Sequence, residues 1–238
     1  MTRVLVPVDV LQGEGVSPGL MTLLGTVEVT VLGYHVLPEQ TPPDQARAQY
    51  EERATAALTD LTEGFRSAGG AADHRLVFTR NREQTLKRVA DEVDARALAI
   101  PGVTGDVDRL LVSLSGDVVV DRILGFVETV VADRDIGVTL LLAGTTESAA
   151  SERLDAAAER LRGAGLDVET AAATEAPLAA LAERSPDHDA IVLGERAPSL
   201  RSLVFGDEHG RVAAASGSPV LVVRYDSTLD AGPAGEGV

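Results

Sequence analysis

Residues 194–224 read GERAPSLRSLVFGDEHGRVAAASGSPVLVVR: a glycine-marked loop, an amphipathic helix and a buried strand. The run AIVLGE directly before the loop has the form of another buried strand, so the segment is one strand–helix–strand unit. A unit of this kind places its two strands parallel, with the helix laid across one face of the sheet. The fold class is therefore α/β.

The same alternation extends back to the first residue. RVLVPV, RLLVSL, VTLLLA, AIVLG and PVLVVR are near-continuous apolar runs, suited to strands covered on both faces. Between them, Ala54, Leu58, Leu61 and Phe65 recur at helical spacing, as do Leu86, Val89, Ala90 and Val93, and then Leu154, Ala158 and Leu161. Helices are expected at about 43–68, 82–95, 117–133, 148–164, 175–185 and 199–216. The order of elements repeats with a period near half the chain. ARALAIPG aligns with HDAIVLGE, so two tandem copies are expected, 1–105 and 106–225. The second closes with a helix and a strand. The first runs from PGVTGDVD straight into the next copy and lacks both. Residues 226–238, rich in Gly and Asp, read as a frayed acidic tail.

Charge narrows the class of partner. Lys+Arg number 21 against 37 Asp+Glu, a net charge of −16, which repels phosphate backbones at long range and argues against nucleic-acid binding. Lys87 is the single lysine. An acidic, lysine-poor surface points to a high-salt cytoplasm, where ions screen self-repulsion, although GC-rich coding produces a similar bias. The absence of cysteine excludes disulfides, thiolate catalysis and Cys-ligated metals. MTRVLVPVD enters a strand at once, so no signal peptide is expected. Asp121, Arg122 and Glu128 interrupt the apolar stretch VVVDRILGFVETVV, which is not a membrane span. A cytoplasmic protein, not inserted in a membrane, is the expectation.

A first strand ending in PVD, a second ending in His35-Val36, and a glycine loop before a terminal PVLVV strand resemble the universal stress protein (UspA) family, over nearly the whole chain. The resemblance implies tandem flavodoxin-like (adenine nucleotide alpha hydrolase-like) doubly wound sheets with helices on both faces, and ATP or AMP held at the carboxyl ends of strands one and four. It implies an acid after strand one, then Gly-x2-Gly-x9-Gly-[Ser/Thr] after strand four, where backbone N–H groups and a helix N-terminus would meet phosphate. Asp9, Val36, Gly102 and Gly105 match in the first copy, without the final Gly-[Ser/Thr]. Gly194 and Gly206 match in the second. There Ala197 replaces a glycine, the spacer is one residue short, Asp207 replaces the hydroxyl and Ser115 takes the place of the acid. A carboxylate beside a triphosphate costs about a kcal/mol or more where water is excluded. The second site is expected to be lost.

Each candidate also has a plain structural reading. Asp9 would either contact a ribose or adenine or cap the following loop. Gly102 and Gly105 would either cradle phosphate or serve as turn residues. His35 would line a cleft or hold a structural hydrogen bond, while His74 and His188 read as surface residues. His209, beside Asp207 and Glu208, has no second histidine to make a metal site. Arg196 and Arg201 flank the second loop. Ser113 and Ser115 lack a G-x-S-x-G elbow and a positioned His–acid pair, so nothing demands catalysis. The expected function is a non-enzymatic, cytoplasmic stress-response protein with weak or degenerate nucleotide binding. The alternatives are an ATP or AMP sensor using Asp9 and the GVTG loop, or a docking module for a membrane transporter. A terminal strand at the sheet edge would pair with a second chain, giving a homodimer through Val220–Val223.

Overall fold

The computed structural model describes residues 2–38, 40–197 and 217–225. The helix expected at about 199–216, with Arg201, Gly206, Asp207 and His209, and the tail 226–238 lie outside the described residues. The chain begins with β1 (Arg3–Asp9), a short α1 (Pro18–Leu23), β2 (Glu28–Val36), α2 (Pro43–Ser67), β3 (Ala71–Thr79), α3 (Arg82–Glu92) and β4 (Ala97–Ile100). It continues with β5 (Arg109–Ser113), α4 (Val120–Val131), β6 (Gly137–Ala143), α5 (Glu147–Gly163), β7 (Val168–Ala173), α6 (Pro177–Arg184), β8 (Ala190–Gly194) and β9 (Val220–Val223). The other five expected helices fall within a few residues of these. α1 was not foreseen: its segment is punctuated by Gly13, Gly15, Pro18, Gly19 and Gly25, which on sequence alone signals a loop.

Among the described residues, nine strands form one sheet in the order β3-β2-β1-β4-β9-β8-β5-β6-β7. Counted from its own first strand, each half runs 3-2-1-4, with the order reversing between the first and fourth strands. The apolar runs explain the depth of burial. Val4, Leu5, Val6, Leu110, Leu111, Ile191, Val192 and Leu221 are fully buried, because both faces of their strands carry helices. α1 packs on α2, α4 on α5, and α4 on the 3-10 turn that follows α1. Right-handed crossovers then set α3 and α6 on the opposite face.

β9 overturns the expected edge. It pairs parallel with β8 and antiparallel with β4, Ala97 opposite Val223 and Ile100 opposite Val220. Both sides of its ladder are filled within one chain. The expected homodimer along Val220–Val223 therefore has no free edge to use. The reason is the direct passage from β4 to β5 through residues 101–108, without helix or strand, which leaves β4 open for β9.

Two arginines join the halves. Arg224 follows β9, with its side chain only 9% exposed; it donates to the Ala95 carbonyl at 3.0 Å and pairs with Asp91 at the end of α3. Arg134, after α4, donates to the carbonyls of Thr22 and Leu23 at 2.7 and 2.8 Å and also reaches the Val130 carbonyl. One guanidinium thus satisfies last-turn carbonyls of both α1 and α4, at the negative ends of both helix dipoles. Burial lowers its pKa from the ordinary arginine value, yet it stays charged at neutral pH.

Candidate functional site

Because β4 and β9 are antiparallel, the strands of the two halves point in opposite directions. The carboxyl ends of β1 and β4 therefore lie at one end of the sheet, and those of β5 and β8 at the other. The sequence candidates divide between these two ends.

At the first end the β1–β2 register sets Asp9 beside Tyr34, next to His35. The Asp9 carboxylate and His35 Nδ1 lie 3.3 Å apart, each side chain 19% exposed. The loop after β1 curls back on Asp9. Its carbonyl accepts from the N–H groups of Gln12 and Glu14, and its own N–H donates to the Glu14 carboxylate at 2.7 Å. The His35 ring also lies tilted against Tyr50 of α2, 6.3 Å between centroids. Asp9 is thus engaged with its own chain on three sides, and His35 takes the structural hydrogen bond. Val36 ends β2 half-exposed, in register with Thr79.

Gly102 stands where the chain crosses itself. A Cβ there would lie 2.3 Å from the Gly217 carbonyl oxygen and 2.6 Å from the Pro219 nitrogen, while the next residue, Val103, donates its N–H to that same Gly217 oxygen at 2.8 Å. Gly217 turns into β9 with φ +79°, a left-handed conformation suited to glycine. The close approach that would serve a phosphate here serves the lead-in to β9. Gly105 has open space around its missing Cβ. Its carbonyl oxygen, however, lies 1.6 Å from where a Cβ on Gly19 would stand, so α1 seats against the loop by way of Gly19. The sequence reading missed Gly19, and a glycine at the second position of a helix beginning SPG was the available signal.

The second end is closed differently. Ser115 is 1% exposed, and its hydroxyl accepts the Ala143 N–H at 2.9 Å, tying the end of β5 to that of β6. A Cβ on Gly194 would meet Val118 Cγ1 at 3.0 Å and Ile123 Cδ1 at 3.3 Å, because the loop after β5 folds over the end of β8. Tyr225 fastens that loop. Its hydroxyl accepts from the Val119 N–H at 2.7 Å and donates to the Asp117 carbonyl at 3.0 Å. Its ring lies 4.6 Å beneath the Arg196 guanidinium, and its N–H donates to the Glu195 carboxylate. Ala197 is buried in the turn that Gly194 opens. Tyr225 and Val118 escaped the sequence reading because neither belongs to a glycine pattern. Gly206 lies outside the described residues.

His188 corrects the expectation of a surface histidine. It is 8% exposed, with one ring nitrogen 2.9 Å from Thr139 Oγ1 and the other 2.7 Å from the Arg184 carbonyl, fixing α6 to β6. His74 is exposed, as expected. Among the described residues, no helix is long and apolar enough to cross a membrane.

Comparison with solved structures gives a universal stress protein of Archaeoglobus fulgidus DSM 4304, which superposes at a TM-score of 0.62 over 93% of this chain and 96% of that one, at 18% identity. The fold is that of the universal stress proteins. The cytoplasmic domain of a prokaryotic cation chloride cotransporter is also similar, with a TM-score of 0.50 and 14% identity over 93% of this chain and 94% of that one. No protein-family model matches the chain, and no curated protein does.

Proposed function

We propose that this chain is a cytoplasmic, non-enzymatic regulatory protein of universal-stress-protein type, working by association, with nucleotide binding weak or lost. Residues 1–105 and 106–225 are two copies of one unit, the first shortened, a reading supported by their shared 3-2-1-4 strand order. One observation carries the functional reading: at Gly102, where the family resemblance puts a phosphate, the backbone of Gly217–Pro219 lies against the glycine instead. The other end supports it, with Ser115 spent on Ala143 and Val118 set against Gly194. ATP or AMP at the first end would have to share the Asp9 carboxylate with His35.

The test is thermal melting with Mg-ATP and with AMP. The expected outcome is no stabilisation that depends on Asp9. A rise of several degrees that Asp9→Ala removes overturns the proposal in favour of a nucleotide sensor, because a ligand binding only the folded state raises its stability.

A second reading, docking to a membrane transporter, draws on the likeness to the cotransporter domain along nearly the full length of both chains. A net charge of −16 suits the Lys/Arg-rich cytoplasmic loops of membrane proteins. Cross-linking in native membranes, followed by identification of the attached protein, tests it. Recovery of soluble partners alone would count against docking.

A further inference from the structure

A cavity of about 320 Å³ opens at the seam of the two halves, far along the sheet from Asp9 and Gly102. Thr2 and Arg96, at the starts of β1 and β4, form one wall. The first turns of α4, with Asp121 and Arg122, form another, and Val223 and Arg224 close it from the end of β9. Gly125 and Phe126 give it an apolar floor.

Its charge is anomalous for this molecule. Three of the 21 basic residues line one small space on a surface carrying −16. The single acid of the lining, Asp121, is engaged by Arg160 at 2.8 Å, and Arg224 pairs with Asp91. Arg96 is exposed, and among the described residues its guanidinium makes no hydrogen bond or ion pair. Its main chain is nevertheless fixed on both sides, the N–H donating to the Arg3 carbonyl and the carbonyl accepting from the Arg224 N–H. The first turn of α4 has no side-chain cap, so the positive end of that helix adds to the field. Arg122 and Arg224 each have a partner, so Arg96 is the guanidinium of this lining left to meet an anion.

We infer that this seam cavity binds a small phosphate monoester, its phosphate held by Arg96 and its flat or apolar body laid on Phe126 and Val223. Guanidinium forks match phosphate oxygens two at a time, a geometry that a lysine lacks. The volume is at the lower end of the range for small-molecule sites, large enough for a ring bearing one phosphate. Such a ligand would touch both halves at once and hold β9 between them.

The experiment is calorimetric titration of the full chain with phenyl phosphate, inorganic phosphate and benzoate at fixed ionic strength. Phenyl phosphate is expected to bind saturably and more tightly than the other two. Arg96→Ala, checked for a native circular dichroism spectrum, is expected to weaken it by about tenfold or more, the equivalent of one charge-assisted contact. Arg96→Lys should recover only part of the loss, and Asp9→Ala should change nothing. Absence of saturable phenyl phosphate binding overturns the inference. So does binding that Arg96→Ala leaves intact, and binding lost in Asp9→Ala instead places the ligand at the β1–β4 end and counts against the proposed function as well. Equal affinity for phenyl and inorganic phosphate would reject the apolar floor as part of the site.

Discussion

Gly102 and Gly105 look alike in the sequence and differ in the structure. Alanine at 102 would drive a methyl into the Gly217–Pro219 backbone, which is fixed at the entrance to a central strand. Its expected cost is about 3 kcal/mol, at the upper end for overpacking. Alanine at 105 meets nothing within 4 Å, and its expected effect lies within about 0.5 kcal/mol. Urea denaturation of the two variants checks this, and similar losses for both would contradict the packing account. The pattern Gly-x2-Gly was legible in the sequence, but its cause was not, because the crossing strand comes more than a hundred residues later. The Asp9–His35 approach follows from two adjacent strand ends and could be read in part. The ties of Ser115 and Tyr225 depend on which loop folds over which strand end, and no local pattern carries that information.

Among the elements, β9 and the two arginine ties set what the halves can do separately. Leu221 is fully buried and faces ladders on both sides, so Leu221→Pro removes a main-chain donor from the middle of the sheet. The chain itself, rather than a dimer, is expected to lose cooperative unfolding in a thermal melt. A cooperative transition close to that of the parent would show that β9 contributes little. Arg134→Ala strips charged donors from the ends of α1 and α4, at an expected cost of about 2 kcal/mol. For a chain of this length that lowers Tm by about 4–8 °C. Arg160 offers the contrast. Its hydrogen bond with Glu128 raises its pKa, but the pair is exposed, and Arg160→Ala should cost less than about 1 kcal/mol. Strands and long helices were legible because their apolar spacing is local. The place of β9 was not, since a buried run on both faces has the same composition whether its neighbour runs parallel or antiparallel.

For the whole molecule the balance lies between a closely packed nine-stranded sheet and a surface carrying −16. Unscreened, those carboxylates repel across distances comparable to the domain, so melting temperature is expected to climb as salt increases from millimolar to molar. Circular dichroism across a salt series checks this, and a constant melting temperature would remove the case for a high-salt cytoplasm. The α/β class and the count of strands were legible at this scale, whereas the fusion of two half-sheets into one was not. During synthesis the eight other strands leave the ribosome before β9 does. Until it arrives, β4 and β8 each present an apolar strand with an open side, the condition under which nascent chains associate wrongly. At usual elongation rates the stretch from Gly194 to Val220 occupies roughly one to five seconds. Both halves are then sealed by the same four residues, so a message cut short before Val220 yields a protein with neither half complete.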